Sequence, residues 1–396
     1  MEIDWMSEEW INETQRIMSN EDGKRFKKFY SQIKKHARES AKRNMCLLCG
    51  KKCTSFCKSH TVPQFALKNI ASNGNLFLFN SLAKNAFIDY DSGVSNAGNF
   101  YLICNDCDNT IFQDYENDSV LRKLKKEDIK AYNEMALKNL LKALYKRNLE
   151  VEQYKYMSDI CRNEMDSQAG GIYNVLLNSI DKLSQRKLFV SELDVSEYND
   201  EIIKCRKALN KCQKGNDFPH NNPYYNIIDI ITLPYTVPIA YQGVLTLVTD
   251  ITGEIINDLY CDDPKYKQEL LHLCIFPLDN FSLITLFTHK SNKRYRKFKS
   301  DFLMLSLEDK LSLINFILFL YSEDMFLSGY LDIKTINTAE FQRIIRTNPT
   351  DNFGSTSKNE LKKTATMKAM EKFSLKNHKA INNLLDREFA IENLSK

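Results

Sequence analysis

A chain of 396 residues is long enough for two or three domains, each with a core of its own. With 43% hydrophobic and 27% charged residues, 12 glycines and 8 prolines, its composition excludes collagen-like chains and favours helices over a sandwich. The net charge of +4 is too small to argue for a nucleic-acid partner, so the distribution of charge has to carry that question.

The opening MEIDWMSEEW is acidic where a secretory signal would be basic and then apolar. Residues Ser7–Arg43 read as one or two helices, the second amphipathic through Phe26, Phe29, Tyr30 and Ile33. This second helix is strongly basic: Lys24, Arg25, Lys27, Lys28, Lys34, Lys35, Arg38, Lys42 and Arg43 stand against one acid, Glu39. Such a face can neutralise phosphates, or it can simply be a solvated helix surface. Residues 44–118 hold six of the eleven cysteines and show neither helical nor strand periodicity. From Ser119 to about Gly215 helical patterns dominate, as in Tyr132–Tyr145 with Met135, Leu137, Leu140, Leu141 and Leu144. Gly170-Gly171 interrupts them.

The character changes near Asn221-Asn222-Pro223. Ile227–Ile231, Val244–Thr249, Glu254–Tyr260, Leu273–Phe276 and Ser282–Thr288 are rich in β-branched and aromatic residues, and Pro234, Pro238, Gly253 and Asp279-Asn280 punctuate them. An antiparallel sheet is expected there. A second basic cluster follows, Lys290, Lys293, Arg294, Arg296, Lys297 and Lys299. Ser306-Leu-Glu-Asp309 reads as a capping box opening a buried helix to about Tyr321. Ala339–Ser395 is expected to be helical, with a polar loop at Asn348–Ser357. The longest apolar run, Leu311–Tyr321, includes Ser312 and Asn315 and falls short of the ~18 residues a membrane span needs. The expectation is therefore a cytoplasmic protein with reduced thiols and no membrane partner. The expected segments are 1–43 (basic helices), 44–118 (cysteine module), 119–220 (helical), 221–300 (antiparallel β) and 301–396 (helical).

The chemistry-bearing stretch is Cys46-Leu-Leu-Cys49, then Ser59-His60-Thr-Val-Pro63, then Asn99, Cys104-Asn-Asp-Cys107 and Asp108. Two CxxC pairs can supply four thiolates to a tetrahedral Zn²⁺, which then substitutes for a core in a small loop-rich segment. The alternative reading is that some of these residues are plain core cysteines. Cys53 and Cys57 leave a further alternative: one of them displaces a ligand, or both form a second site with His60. The other histidines (His36, His220, His272, His289 and His378) are scattered without ligand spacing. No glycine-rich phosphate loop and no GxSxG is present, so neither an NTPase nor a serine hydrolase is supported.

The order of these residues resembles that of zinc-stapled HNH (ββα-metal) endonucleases, over about 65 residues. That family has a CxxC, a strand ending in an acid-His pair followed by proline, an Asn about five residues before a second CxxC, and a His or Asn just after it. The resemblance implies an α+β protein whose small N-terminal zinc-bound ββα-metal module joins a mostly helical body with an antiparallel sheet. It implies structural Zn²⁺ on Cys46, Cys49, Cys104 and Cys107. It also implies His60 as general base for attack on a phosphodiester, with Asn99 and Asp108 as its catalytic companions. A catalytic Mg²⁺ or Mn²⁺ would find oxygen ligands in Asp108, Asn99 and Glu116. The expected function is a metal-dependent endonuclease acting on nucleic acid, DNA ahead of RNA, in the manner of a restriction or phage-defence effector. Its large body would sense, bind a partner protein or assemble with further copies. Ser59 stands where the family has an acid, Asp108 where it has a terminal His, and the span from His60 to Asn99 is longer than usual. These departures keep a second expectation open: a catalytically degenerate, zinc-stabilised nucleic-acid-binding or scaffold protein.

Overall fold

The computed structural model describes residues 21–80, 88–167, 172–213, 222–261, 263, 265–322, 324–336, 338–345 and 359–394. Residues 1–20, Gly170-Gly171, His220 and the polar loop at 348–357 lie outside the described residues, as do the side chains of Phe26, Phe29 and Tyr30. The chain is mixed helix and antiparallel sheet, as expected. It divides into two compact units: residues 1–43 with 146–195, and residues 44–145 with 196–396. The cysteine segment, residues 119–145 and residues 221–300 thus all belong to the second unit. No described helix is long and apolar enough to cross a membrane.

The first unit holds α1 (Glu21–Ser40) and parts of two long helices, α5 (Ile129–Ser167) and α6 (Ile172–Gln213). Ile33 and Ala37 are the buried positions of the described half of α1, while Lys35, Arg38, Lys42 and Arg43 are exposed. Between α5 and α6 the pairing is polar. Arg147 reaches Glu150 and, at 2.9 Å, Asp194. Asp181 accepts from Ser158 and, at 2.7 Å, from Gln185. Charge-assisted contacts inside a helix pair specify register more than they add stability.

The second unit is built on a seven-stranded antiparallel sheet with strands β2 (Asn75–Asn80), β3 (Ile88–Gly93), β5 (Tyr225–Leu233), β6 (Ile239–Leu245), β7 (Leu271–Leu278), β8 (Phe281–His289) and β9 (Asp324–Ser328). The spatial order is β3-β2-β9-β6-β7-β8-β5. Every residue of β7 is buried, which explains why LHLCIFPL reads as nearly continuous hydrophobic sequence: both faces of the sheet are covered. Leu271, Leu273 and Ile275 share one core with the helix α8 (Leu307–Tyr321). His272 and Cys274 face the opposite way, where the Asn139 amide on α5 meets both and also donates to the Gly243 carbonyl. Tyr132, also on α5, packs edge-on against Phe287. Ser306 caps α8 by accepting from the Asp309 N–H, as its sequence predicts.

Three expectations need correction. Val244–Thr249 and Glu254–Tyr260 are not two strands: β6 ends at Leu245, and only the Thr249–Ile255 bridge remains beyond it. Polar side chains hold this segment as a loop. Asp250 accepts from the backbones of Thr252 and Glu254, and Asn257 donates to the Leu247 and Glu269 carbonyls. Residues 301–396 are not helical throughout, since β9 (Asp324–Ser328) lies among them. The C-terminal stretch is not one helical region: after α9 (Ala339–Ile345) and α10 (Asn359–Lys372), Ser374 and Asp386 cap short 3-10 turns, and the last helix is α11 (Ile391–Leu394).

His272 gives the sheet an acid-sensitive point. Its imidazole is fully buried, and burial pushes its pKa down to about 3. Unfolded, it titrates near 6.5, so from there down to about 3 the unfolded chain binds the extra proton and stability falls with pH. The loss attributable to this residue should be about 2 kcal/mol at pH 5. Denaturant unfolding of wild type and His272→Phe at pH 7 and pH 5 should show a flatter pH dependence in the variant; equal slopes would refute the assignment.

Candidate metal centre and histidine site

The first CxxC forms a tight turn. Gly50 donates to the Cys46 carbonyl at 2.9 Å and takes the left-handed region at φ +72°, which favours glycine. The Cys46 N–H donates to the Lys51 carbonyl, closing the loop. The second CxxC opens a helix: Cys104 is the N-cap residue of α3 (Asn105–Ile111), and Cys107 lies in its first turn. Backbone bonds from Leu47 to Leu102 (2.9 Å) and from Cys57 to Ile103 (2.8 Å) pin the two segments side by side.

The four sulfurs of Cys46, Cys49, Cys104 and Cys107 lie within 4.8 Å of one another. Cys46–Cys107 and Cys49–Cys104 are 3.7 and 3.8 Å apart. A tetrahedron with Zn–S bonds of about 2.3 Å has S···S edges of about 3.8 Å, so this group can hold a zinc ion. The thiols are electrostatically unequal. Burial raises the Cys46 pKa, but N–H donors from the Cys49, Cys104 and Leu48 backbones outweigh it and bring it to about 7. Burial and the three neighbouring sulfurs drive Cys107 upward. A divalent cation removes that conflict by stabilising all four thiolates. Cys53 and Cys57 stay outside the group: Cys53 donates to the Lys51 carbonyl, and Cys57 to Asp108 at 3.3 Å.

His60 sits beside this centre on a two-stranded antiparallel ribbon, β1 (Ser59–His60) with β4 (Asn99–Phe100), in which His60 pairs directly with Asn99. His60 and Asn99 are therefore cross-strand neighbours on one face of the ribbon, while Asp108 lies on α3. The Nε2 atom of His60 and the Oδ1 atom of Asn99 are both buried and find no hydrogen-bond partner among the described residues. Burial lowers the His60 pKa, the Val94 backbone and the Asp108 carboxylate oppose it, and the charges of Lys138 and Lys58 lower it further. The Asn99 amide donates to the Ser95 carbonyl at 3.0 Å, leaving Oδ1 as the unpaired end.

The carboxylates are engaged differently. Asp108 Oδ1 accepts from Ser59 and, at 2.9 Å, from the Lys138 ammonium. Glu116 meets the same ammonium at 2.8 Å. Lys138 is only 1% exposed and lies 4.2 Å from the centre of the Phe112 ring. Burial alone would raise the Asp108 pKa, but Lys138 and the Ser59 and Cys57 hydrogen bonds reverse this and lower it. Burial raises Glu116, and Lys138 offsets that only in part. Asp108, Asn99 and Glu116 therefore do not fit a catalytic Mg²⁺ or Mn²⁺ as they stand, because a fixed ammonium already bridges the two carboxylates. The sequence reading missed Lys138. Its signal is a cation in the stripe Glu134, Lys138, Leu141 and Tyr145, whose first three members are fully buried. Two members of the second basic cluster are engaged within the molecule: Arg294 pairs with Glu269, and Lys297 with Glu254 and Asp250.

Searches of family models, curated proteins and solved structures return no match to this chain.

Removing one sulfur should break the metal site. Cys104→Ser or Cys107→Ser is expected to drop bound zinc from about one ion per chain to near zero. It should also lower the melting temperature sharply, since structural zinc contributes about 10 kcal/mol in small modules. Elemental analysis beside thermal unfolding checks this. Folded wild-type protein purified with no zinc would refute it.

Proposed function

We propose that the chain acts on nucleic acid through a zinc-stapled, HNH-like hydrolytic head, with His60 as the general base of phosphodiester cleavage. The pair of orphaned acceptors carries this reading. Leaving two buried acceptors unpaired costs about 1–3 kcal/mol each, so their persistence on paired residues calls for a resident donor. One water molecule can donate a hydrogen to His60 Nε2 and another to Asn99 Oδ1, leaving its lone pairs for attack on phosphorus. Burial disfavours the charged imidazole, and a neutral ring with its proton on Nδ1 can accept a proton at Nε2, as a general base must. The short ribbon of β1 and β4 precedes α3 and lies beside the four cysteines, although a helix (Gln64–Ile70), β2 and β3 come between its two strands in the chain. The exposed Lys58 supplies a cation next to the ribbon. The exposed Lys35, Arg38, Lys42 and Arg43 of the basic N-terminal segment offer a further phosphate-binding surface. DNA is the substrate we place first.

A second reading has its own support. Ser59 replaces an acid and donates to Asp108, and Lys138 neutralises Asp108 and Glu116. On those contacts the head is a zinc-stabilised binding or scaffold element that does not cut.

Plasmid nicking by wild type and His60→Ala, each checked for zinc content and melting temperature, separates these readings. The hydrolase reading expects His60→Ala to keep its zinc and fold and to lose activity about 100-fold or more. Wild-type protein that binds nucleic acid without nicking it would favour the second reading; a folded His60→Ala that cuts at the wild-type rate would remove His60 from the mechanism.

Reversing Lys35, Arg38, Lys42 and Arg43 to Glu should weaken nucleic-acid binding. The dependence of log affinity on log salt should flatten by about one unit per lost phosphate contact. Unchanged affinity and slope would show these residues to be a solvated face.

A further inference from the structure

The ammonium of Lys138 is placed as a metal ion would be. It lies 2.9 Å from Asp108 Oδ1 and 2.8 Å from Glu116 Oε1. Phe112 and Phe100 flank it, at 4.2 and 5.9 Å from their ring centres. At 1% exposure it has almost no access to water, and it sits on α5, whose next residue, Asn139, is anchored to the sheet. A lysine so placed cannot swing out to bind a phosphate, and its charge is needed where it is: without it, two half-buried carboxylates would face each other with no cation between them. The remaining Asp108 contacts come from Ser59 and Cys57, both hydrogen donors.

We propose that the Lys138 ammonium is the permanent cation of this centre, filling the place between Asp108 and Glu116 that a divalent ion would take, so that the protein binds zinc on its cysteines and no divalent ion beside His60. Lys138 is then a positioning residue. It holds Asp108 against Ser59 and so fixes the end of the ribbon that carries His60. Any chemistry at His60 proceeds without added Mg²⁺ or Mn²⁺. This last consequence rests on the hydrolase reading; the binding claim does not.

The test uses the zinc-loaded full chain and Mn²⁺ as the probe, with unbound Mn²⁺ read from its paramagnetic resonance signal. Wild type should leave Mn²⁺ unbound. Lys138→Met, which keeps the length and removes the charge, should take up about one Mn²⁺ per chain, and the double variant Lys138→Met/Asp108→Asn should lose it. Wild type that binds Mn²⁺ in a manner abolished by Asp108→Asn would overturn the proposal, as would a folded, zinc-loaded Lys138→Met that binds none. Should Lys138→Met fail to retain zinc and helical structure, wild type against Asp108→Asn decides alone. Because Mn²⁺ uptake is read without nucleic acid, an absence of cleavage would count against the His60 mechanism and leave this result standing. If cleavage occurs, its rate should be the same with and without added Mg²⁺; a strict Mg²⁺ requirement for cleavage would overturn the proposal.

Discussion

Four sulfurs from two short turns, 54 residues apart in sequence, meet at one point, and the geometry around His60 depends on that closure. The first turn has little apolar material of its own. It is held by the Gly50 conformation and by a few backbone bonds to residues 102 and 103. The four sulfurs are placed so that they could hold a metal, and the free energy of ligation can substitute for a core in such a segment. Once the turns are joined, the Ser59–His60 strand has a fixed partner in Asn99–Phe100, and α3 has a fixed start.

The second constraint is the seating of this head on the sheet through α5. Successive residues of that helix serve two neighbours. Lys138 points into the carboxylates of the head, and Asn139 into β6 and β7. A buried ion pair adds little net stability but is costly to break on one side. Such a contact therefore sets position: it fixes where Asp108, and with it Ser59, can lie. The same side chains that deny a divalent ion its ligands thus keep the histidine ribbon in register.

Much of the metal centre was legible in the sequence, because CxxC spacing is a local signal that survives without knowledge of the fold. The Ser306 cap and the strands β5, β7 and β8 were legible for the same reason: each is announced by neighbours in sequence. What escaped depends on distant pairing or on competition between signals. β2 and β9 pair with each other across more than 240 residues. Residues 254–260 have strand-like composition, yet Asp250 and Asn257 offer their backbones better partners than a ladder does. Lys138 was hidden by a general habit: a lysine in a helix is read as solvated, and only its place on a buried stripe argues otherwise. The orphaned acceptors on His60 and Asn99 are invisible in sequence, since an unpaired atom is a property of the packed structure.

The most direct measurement is zinc X-ray absorption on the purified protein. The account predicts four sulfur ligands at about 2.3 Å and no nitrogen ligand, because His60 keeps its Nε2 for other work. Three sulfurs and one imidazole nitrogen would place His60 on the metal and contradict both the four-cysteine centre and the role assigned to the histidine.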